Sequence, residues 1–393
     1  RDGGTTWYGW ESANTTPTKI GLFVWGSNTE GRLGLNQASN TAKTSSPVQL
    51  PGDWVYIAAG SENTGKSMFA RKRDGTLWAW GENESGALGQ SNTKEYSSPV
   101  QIPSPASESW AQVSGGGRYT VATKSDGSMW SWGYNGPAGL LGHGQSGSPH
   151  KCSSPEQISG TLWNYDMGQN VRTLQASSGI NMAITRQNKL YSWGYNRNGS
   201  LGHSNNSDAN SPTQVGSGTD WHALMKWGGG QSVGAIKEDG TLWMWGVGND
   251  GVLGQNSAGN PATTNSPVQI PGTTWKSGGV AGHATIATKT DGTLWTWGTN
   301  TNGQLGHNSR AHRSSPVQVG SDTDWDMAQA WYSYIGATKK DGSMWSSGSN
   351  YQGALGLNQS GPLQRYSSPV QMPGSWKALS FASDAYSGLK SIT

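Results

Sequence analysis

Six segments of this chain carry two aromatic side chains two residues apart, as in Leu294-Trp295-Thr296-Trp297. Their second positions are Trp25, Trp80, Trp132, Trp193, Trp245 and Trp297, and each precedes a glycine. A seventh copy reads Trp345-Ser346-Ser347-Gly348. Flat aromatic faces can stack on a planar ligand or a sugar ring, and they can equally form a wall. Strand periodicity of two puts both members of a pair on one face, with small residues such as Ala79 and Ser131 on the other. Burying one indole removes ~150–250 Å² from water. At ~25 cal/mol/Å² that is about 4–6 kcal/mol as an upper bound, so the recurring pair reads as wall.

Four of the 22 tryptophans stand outside the recurring positions: Trp7, Trp10, Trp227 and Trp331. Trp227 and Trp331 each lie six residues after another tryptophan, where other copies hold Gly60, Gly116, Ala281 and Ala382. Loops carry recognition more readily than the strands that frame them. With neighbouring loop residues they define the predicted ligand-binding face: Trp227, Trp331, Tyr332, His283, Arg118 and Tyr119. The competing reading is local packing of the two indoles against an adjacent loop.

Other reactive side chains give weaker signals. His143, His203 and His307 each follow Leu-Gly in different copies, so they are not expected to converge on a metal. Cys152 is the one cysteine and is expected as a free thiol. A basic residue recurs before a turn at Lys72, Lys124, Arg186, Lys237, Lys289, Lys339 and Lys390. It reads as a ring of solvated charge, with an anionic partner as the sharper alternative. There is no nucleophile motif and no phosphate-binding loop, so no catalytic residue, cofactor or metal is expected.

Composition agrees with a binding or structural role. Charged residues form 13% of the 393, against ~25% in ordinary domains, and the formal net charge is only +3. That balance is too small to imply nucleic acid by itself. No apolar run approaches the ~18 residues of a membrane span.

The elements that position these residues follow from the repeat. The tryptophan-glycine steps recur every 50 to 61 residues. Each is followed by Leu-Gly, then Ser-Pro, then another tryptophan: Trp54, Trp110, Trp163, Trp221, Trp275, Trp325 or Trp376. Each copy supplies about four strands, the fourth following Ser-Pro. Asp-Gly, as at 74–75 and 291–292, joins the second and third, which suggests a type I′ hairpin. The fold class is all-β: a seven-bladed β-propeller of four-stranded blades. Residues 376–390 supply two strands and residues 20–50 the other two, so one blade is expected to be closed by N- and C-terminal strands. The domain reading is an extension at 1–17 and a propeller at 18–393. Ser347, standing where tryptophan is usual, predicts looser packing or a neighbour such as Tyr332 or Tyr334 in the space.

The order Trp…Asp-Gly-x-Leu-Trp-x-Trp-Gly-x-Asn…Leu-Gly…Ser-Pro-x-Gln resembles the regulator of chromosome condensation repeat, over residues 18 to 393. The resemblance implies the propeller with its shared blade. Its style looks most like bacterial and phage members. That implies a virion component (fibre, spike or decoration) or a bacterial surface protein, located on the virion or outside the cell. The expected partner is a protein or a cell-surface glycan, with attachment to a larger assembly and no specific nucleic acid. The alternative is a protein-binding inhibitor-type propeller, or an intracellular scaffold or GTPase exchange factor. The Gly-Trp-Arg-His-Thr run of the family's photoreceptor is missing. The Gly-x-x-His of its exchange factors is approached only by Val280-Ala281-Gly282-His283.

Overall fold

The computed structural model describes residues 19–37, 43–60, 67–104, 108–145, 151–160, 162–164, 172–227, 230–256, 263–331, 333–351, 355–357, 364–382 and 385–392. The expected 1–17 extension, with Trp7 and Trp10, lies outside the described residues. Among the described residues seven sheets account for the fold, antiparallel apart from the short pair Lys226–Trp227 added in parallel to the fifth. In the first blade the order is Trp54–Ala59, Ser67–Lys72, Leu77–Gly81 and Tyr96–Gln101. Blades two to six repeat it from Trp110, Leu174, Trp221, Trp275 and Trp325. In the seventh sheet Lys43–Leu50 pairs with Lys19–Ser27, which pairs with Ala385–Ile392, which pairs with Ala378–Ala382. Eight register pairs, from Lys19–Ile392 to Gly26–Ala385, join the N- and C-terminal strands.

Two local details differ from expectation. The fourth strand contains Ser-Pro instead of following it, as in Tyr96–Gln101. Proline lacks an N–H and is tolerated there because this strand is the sheet's outer edge. The Asp-Gly turns are not type I′, because only the glycine has positive φ, 83° at Gly75. Gly75 N–H donates to Lys72 O and Lys72 N–H to Thr76 O, the pattern of a type I turn closed by a left-handed glycine. Asp74 Oδ1 accepts from both the N–H and the hydroxyl of Thr76, which satisfies the carboxylate locally. Those bonds, the hydroxyl's first, hold its pKa below the ordinary carboxylate value.

The repeat residues divide the packing among them. The tryptophans before glycine are fully buried, the strand-opening ones 1–4% exposed. Trp54 touches both Trp78 (6.2 Å between centroids) and Trp80 (6.3 Å), and equivalent clusters recur in other blades. The pre-glycine indoles then tie one blade to the previous one. Trp80 Nε1 donates to Arg32 O, Trp132 to Ala87 O, Trp245 to Ser200 O and Trp297 to Val252 O, at 2.7–3.0 Å. The glycine that follows takes φ of 92–111° in all seven copies. A Cβ at Gly298 would collide with His283 O, so no other residue fits without movement.

The asparagine after Trp-Gly is a second staple. Asn28, Asn83, Asn135, Asn196, Asn300 and Asn350 are 0–2% exposed. Each Oδ1 accepts the N–H of the leucine in the following Leu-Gly, at 2.8–2.9 Å. These buried amides are satisfied by the loop they shape.

Candidate binding face

One face of the ring carries the Asp-Gly turns, and there the recurring lysines are already engaged. Lys289 Nζ lies 4.7 Å from the Trp275 ring centroid and 4.4 Å from that of Trp295. Lys72, Lys124, Lys237 and Lys339 sit on two tryptophans in the same way. Lys390 lies over Phe23. Lys237 also pairs with Asp220 (3.0 Å), and Lys339 with Asp322 (2.7 Å) and Asp324 (3.1 Å). Five members of the ring thus make cation–π contacts with one buried and one half-buried indole each. The half-exposed indole adds its own bond: Trp295 Nε1 donates to Thr293 Oγ1, which donates to Asp291. Clefts between successive blades open beside these clusters. The one lined by His203, Trp221, Lys237, Trp243 and Pro267 encloses about 620 Å³.

The post-glycine histidines are structural too. The hydroxyls of Ser131, Ser192 and Thr296 donate to Leu141 O, Leu201 O and Leu305 O, each at 2.7 Å. Each hydroxyl proton is thus used. The Nε2 of His143, His203 and His307, 2.8–3.0 Å away, must carry the ring proton and donate to the hydroxyl. Burial lowers the pKa of His203 and His307 below the ordinary value. Among the described residues no three His, Cys, Asp or Glu side chains gather as a metal site. Cys152 is half-buried, and burial raises its thiol pKa.

The opposite face holds the loops between first and second strands, and it sorts the predicted site residues. Arg118, Gly179, Gln231, His283 and Ser333 occupy one structural position. Their carbonyls accept the N–H of Tyr134, Tyr195, Val247, Thr299 and Ser349, the residue after each Trp-Gly. Arg118 is exposed and His283 half-buried at that position. Two members of the predicted set are core residues instead. Tyr119 is 1% exposed, and its hydroxyl reaches Ile180 O of the next blade at 3.5 Å. Trp331 is 4% exposed and belongs to a cluster with Trp25, Tyr334, Met344, Met372 and Trp376. Its strand continues to the last residue before the loop, so the indole packs inward with the sheet. The Trp227 backbone pairs in parallel with Val280 of the next blade. The Trp227 side chain and Tyr332 lie outside the described residues.

At position 347 serine takes over the bond that the indole makes elsewhere. Ser347 is fully buried and its hydroxyl donates to Gln304 O at 2.9 Å, the carbonyl position that tryptophan indoles serve elsewhere. Its cross-strand partner is Ile335, 3% exposed, where the second and fifth blades have Thr120 and Thr285.

The sequence reading missed a pocket on this face. Ser178, Tyr195, Arg197, Asn198 and Gln231 line a cavity of about 190 Å³ between the third and fourth blades. No motif marks it, since its residues come from three separate loops. The one signal available was Ser178-Gly179. There the hairpin loop has two residues, with Ser177 paired to Ile180 and φ of 51° and 75°. That is the type I′ geometry expected, wrongly, of the Asp-Gly turns.

The model of the regulator of chromosome condensation (RCC1) repeat matches residues 21–65, 74–123, 187–232 and 291–330. Human E3 ubiquitin-protein ligase HERC2 is 29% identical over 317 residues, 79% of this chain and 6% of that protein. The mitochondrial RCC1 domain-containing protein RUG3 of Arabidopsis thaliana is 27% identical over 303 residues, 63% of this chain and 66% of that one. The chain thus spans less than two thirds of either relative. Among solved structures, Prp20p from Saccharomyces cerevisiae superposes with a TM-score of 0.81 at 16% identity, covering 96% of this chain and 93% of that one. Both relatives are eukaryotic, and RUG3 is mitochondrial. This overturns the virion or extracellular location expected from sequence style, and gives no support to a phage or bacterial type. No helix among the described residues is long and apolar enough to cross a membrane. Four segments of the chain match the regulator of chromosome condensation repeat, and the chain folds as a seven-bladed propeller.

Proposed function

We propose that this chain is a non-catalytic protein-binding propeller, a scaffold or regulatory module whose partner docks on the face carrying Arg118, Gln231 and His283. The contrast between the two faces carries this reading. On the turn face the recurring lysines are held by tryptophans and carboxylates. On the loop face one backbone position is occupied by Arg, Gly, Gln, His and Ser in successive blades. A position fixed by the frame and free in side chain suits recognition. Trp227 and Tyr332 lie close to that position in the sequence of the fourth and sixth blades and are kept in the proposal on that ground alone. Relatives agree in kind: Prp20p is described by its binding to Gsp1p and histones. A small GTPase and a histone are accordingly the first partners to try, and nucleotide release from the GTPase separates an exchange factor from a scaffold.

The test is site-specific photo-crosslinking in the full chain. A benzoylphenylalanine at position 118, 231 or 283 should capture a partner protein, and one at 73 or 273 should not. Capture only from the turn-face positions, or from none of the five, would overturn the proposal.

A further inference from the structure

The pocket between the third and fourth blades shows a chemistry of its own. Arg197 is exposed, with its guanidinium carbon 5.7 Å from the centroid of Tyr195. It makes no ion pair with a carboxylate among the described residues. The ring holds the guanidinium plane at the pocket mouth, which reduces the freedom it must lose on binding.

The remaining polar groups are mostly donors. Gln231 Oε1 is occupied by the Asn198 Nδ2 donor, so both Gln231 Nε2 hydrogens remain to be placed. The Gln231 carbonyl accepts from Ser200 Oγ (2.7 Å) and Val247 N (3.2 Å), which anchors the residue. Ser178 Oγ accepts from Gly230 N at 3.2 Å, leaving its own proton to donate. The type I′ turn fixes Ser178 in place, since its neighbours Ser177 and Ile180 are paired. Against these donors stands one spare amide acceptor, Asn198 Oδ1. A cavity with donors from Arg197, Gln231 and Ser178 suits a group that only accepts.

We infer that this pocket receives the carboxylate of an acidic side chain from a docking protein, with Arg197 as its ion-pair partner and Gln231 and Ser178 as neutral donors. The inference rests on the protein-binding reading above and names the chemistry of that partner. One guanidinium supplies one positive charge, which matches a carboxylate and falls short of a phosphate dianion. Arg-carboxylate pairing is also bidentate, which fixes orientation as well as charge.

A fluorescein-labelled, end-capped peptide with alternating Glu and Gly tests this by anisotropy with the full chain. The glutamate peptide should bind, and its glutamine counterpart should bind about tenfold more weakly or not at all. Arg197→Ala should reduce glutamate-peptide affinity about tenfold, and Gln231→Ala by less. Arg197 is exposed, so loss of folding is not a competing explanation, and a circular-dichroism melt confirms it. Equal binding of both peptides, or no effect of Arg197→Ala, overturns the inference. A phosphoserine peptide binding tenfold tighter than the glutamate peptide also overturns it. Partner capture at 118, 231 or 283 that is indifferent to Arg197→Ala sinks the carboxylate pocket alone. Peptide binding without any partner capture sinks the protein-docking reading instead.

Discussion

Lys226 offers the sharpest test of how the ring is held together. It follows a break at Met225, where the first strand of the fourth blade leaves its own sheet and pairs with the fifth. The side chain is 6% exposed. Its Nζ donates to Gln329 Oε1 at 2.8 Å and to Ser380 Oγ at 3.1 Å, partners 103 and 154 residues away in the sixth and seventh blades. One amine therefore spans the inside of the ring. Burial, and then the nearby positive charge of Arg172, hold its pKa well below the ordinary lysine value. The folded state disfavours the charged amine, while the unfolded chain keeps it protonated up to ~10.4. Between the folded and unfolded pKa the unfolded state binds one more proton, so stability rises with pH by about 1.4 kcal/mol per unit. Lys226→Met keeps a similar length and removes the proton. It leaves two buried hydrogen-bonding groups without their donor, at a cost of about 1–3 kcal/mol for each group left unpaired. The variant should be less stable than wild type above pH 10. The gap should narrow by about 1.4 kcal/mol per unit as pH falls, until the folded-state pKa is passed. Urea midpoints of both proteins from pH 6 to 10.5 measure this, and the difference cancels other titrating groups. A difference that does not change with pH would refute the buried, proton-disfavouring environment.

Three further outcomes follow from the repeat. Ser347→Trp should lower the melting temperature through overpacking, about 1–3 kcal/mol, because Ser347 is fully buried opposite the bulkier Ile335; a higher melting temperature would show a void there. Lys289→Met should cost about 1–2 kcal/mol through loss of contact with Trp275 and Trp295, whereas an unchanged urea midpoint would return the lysine to the solvated charges. His203 and His307 have depressed folded-state pKa values, so the stability they confer is present above about 6.5 and lost as pH falls below it. Replacing both with Gln, the residue at the equivalent positions 90 and 255, should flatten the melting temperature between pH 5 and 7, and an unaltered acid limb would contradict the assignment.

The amino-acid order determined the blades, their number and the role of most tryptophans. Those properties are periodic: alternation along a strand decides which face Trp295 and Trp297 share, and a glycine with no Cβ decides where the strand can turn. The same logic misjudged Trp331. It belongs to a cluster that joins Tyr334, Met344 and Met372 of its own blade to Trp25 and Trp376 of the seventh, and that enclosure exists only once the blades have closed. It also misjudged the lysine ring, because the indoles that receive each ammonium are neighbours only after the hairpin has formed. Family style pointed to a virion, whereas the relatives are eukaryotic and one is mitochondrial, since style follows the repeat and not the surface that binds. What only the tertiary structure decided is what lies between blades. Arg118, Gln231 and His283 became equivalent through their backbone bonds, Arg197 and Gln231 met across a blade boundary, and Lys226 found Gln329 and Ser380 across the ring. Repeat spacing fixes each blade locally, but closing seven of them places residues more than a hundred positions apart within hydrogen-bond distance, and no local pattern encodes those pairs.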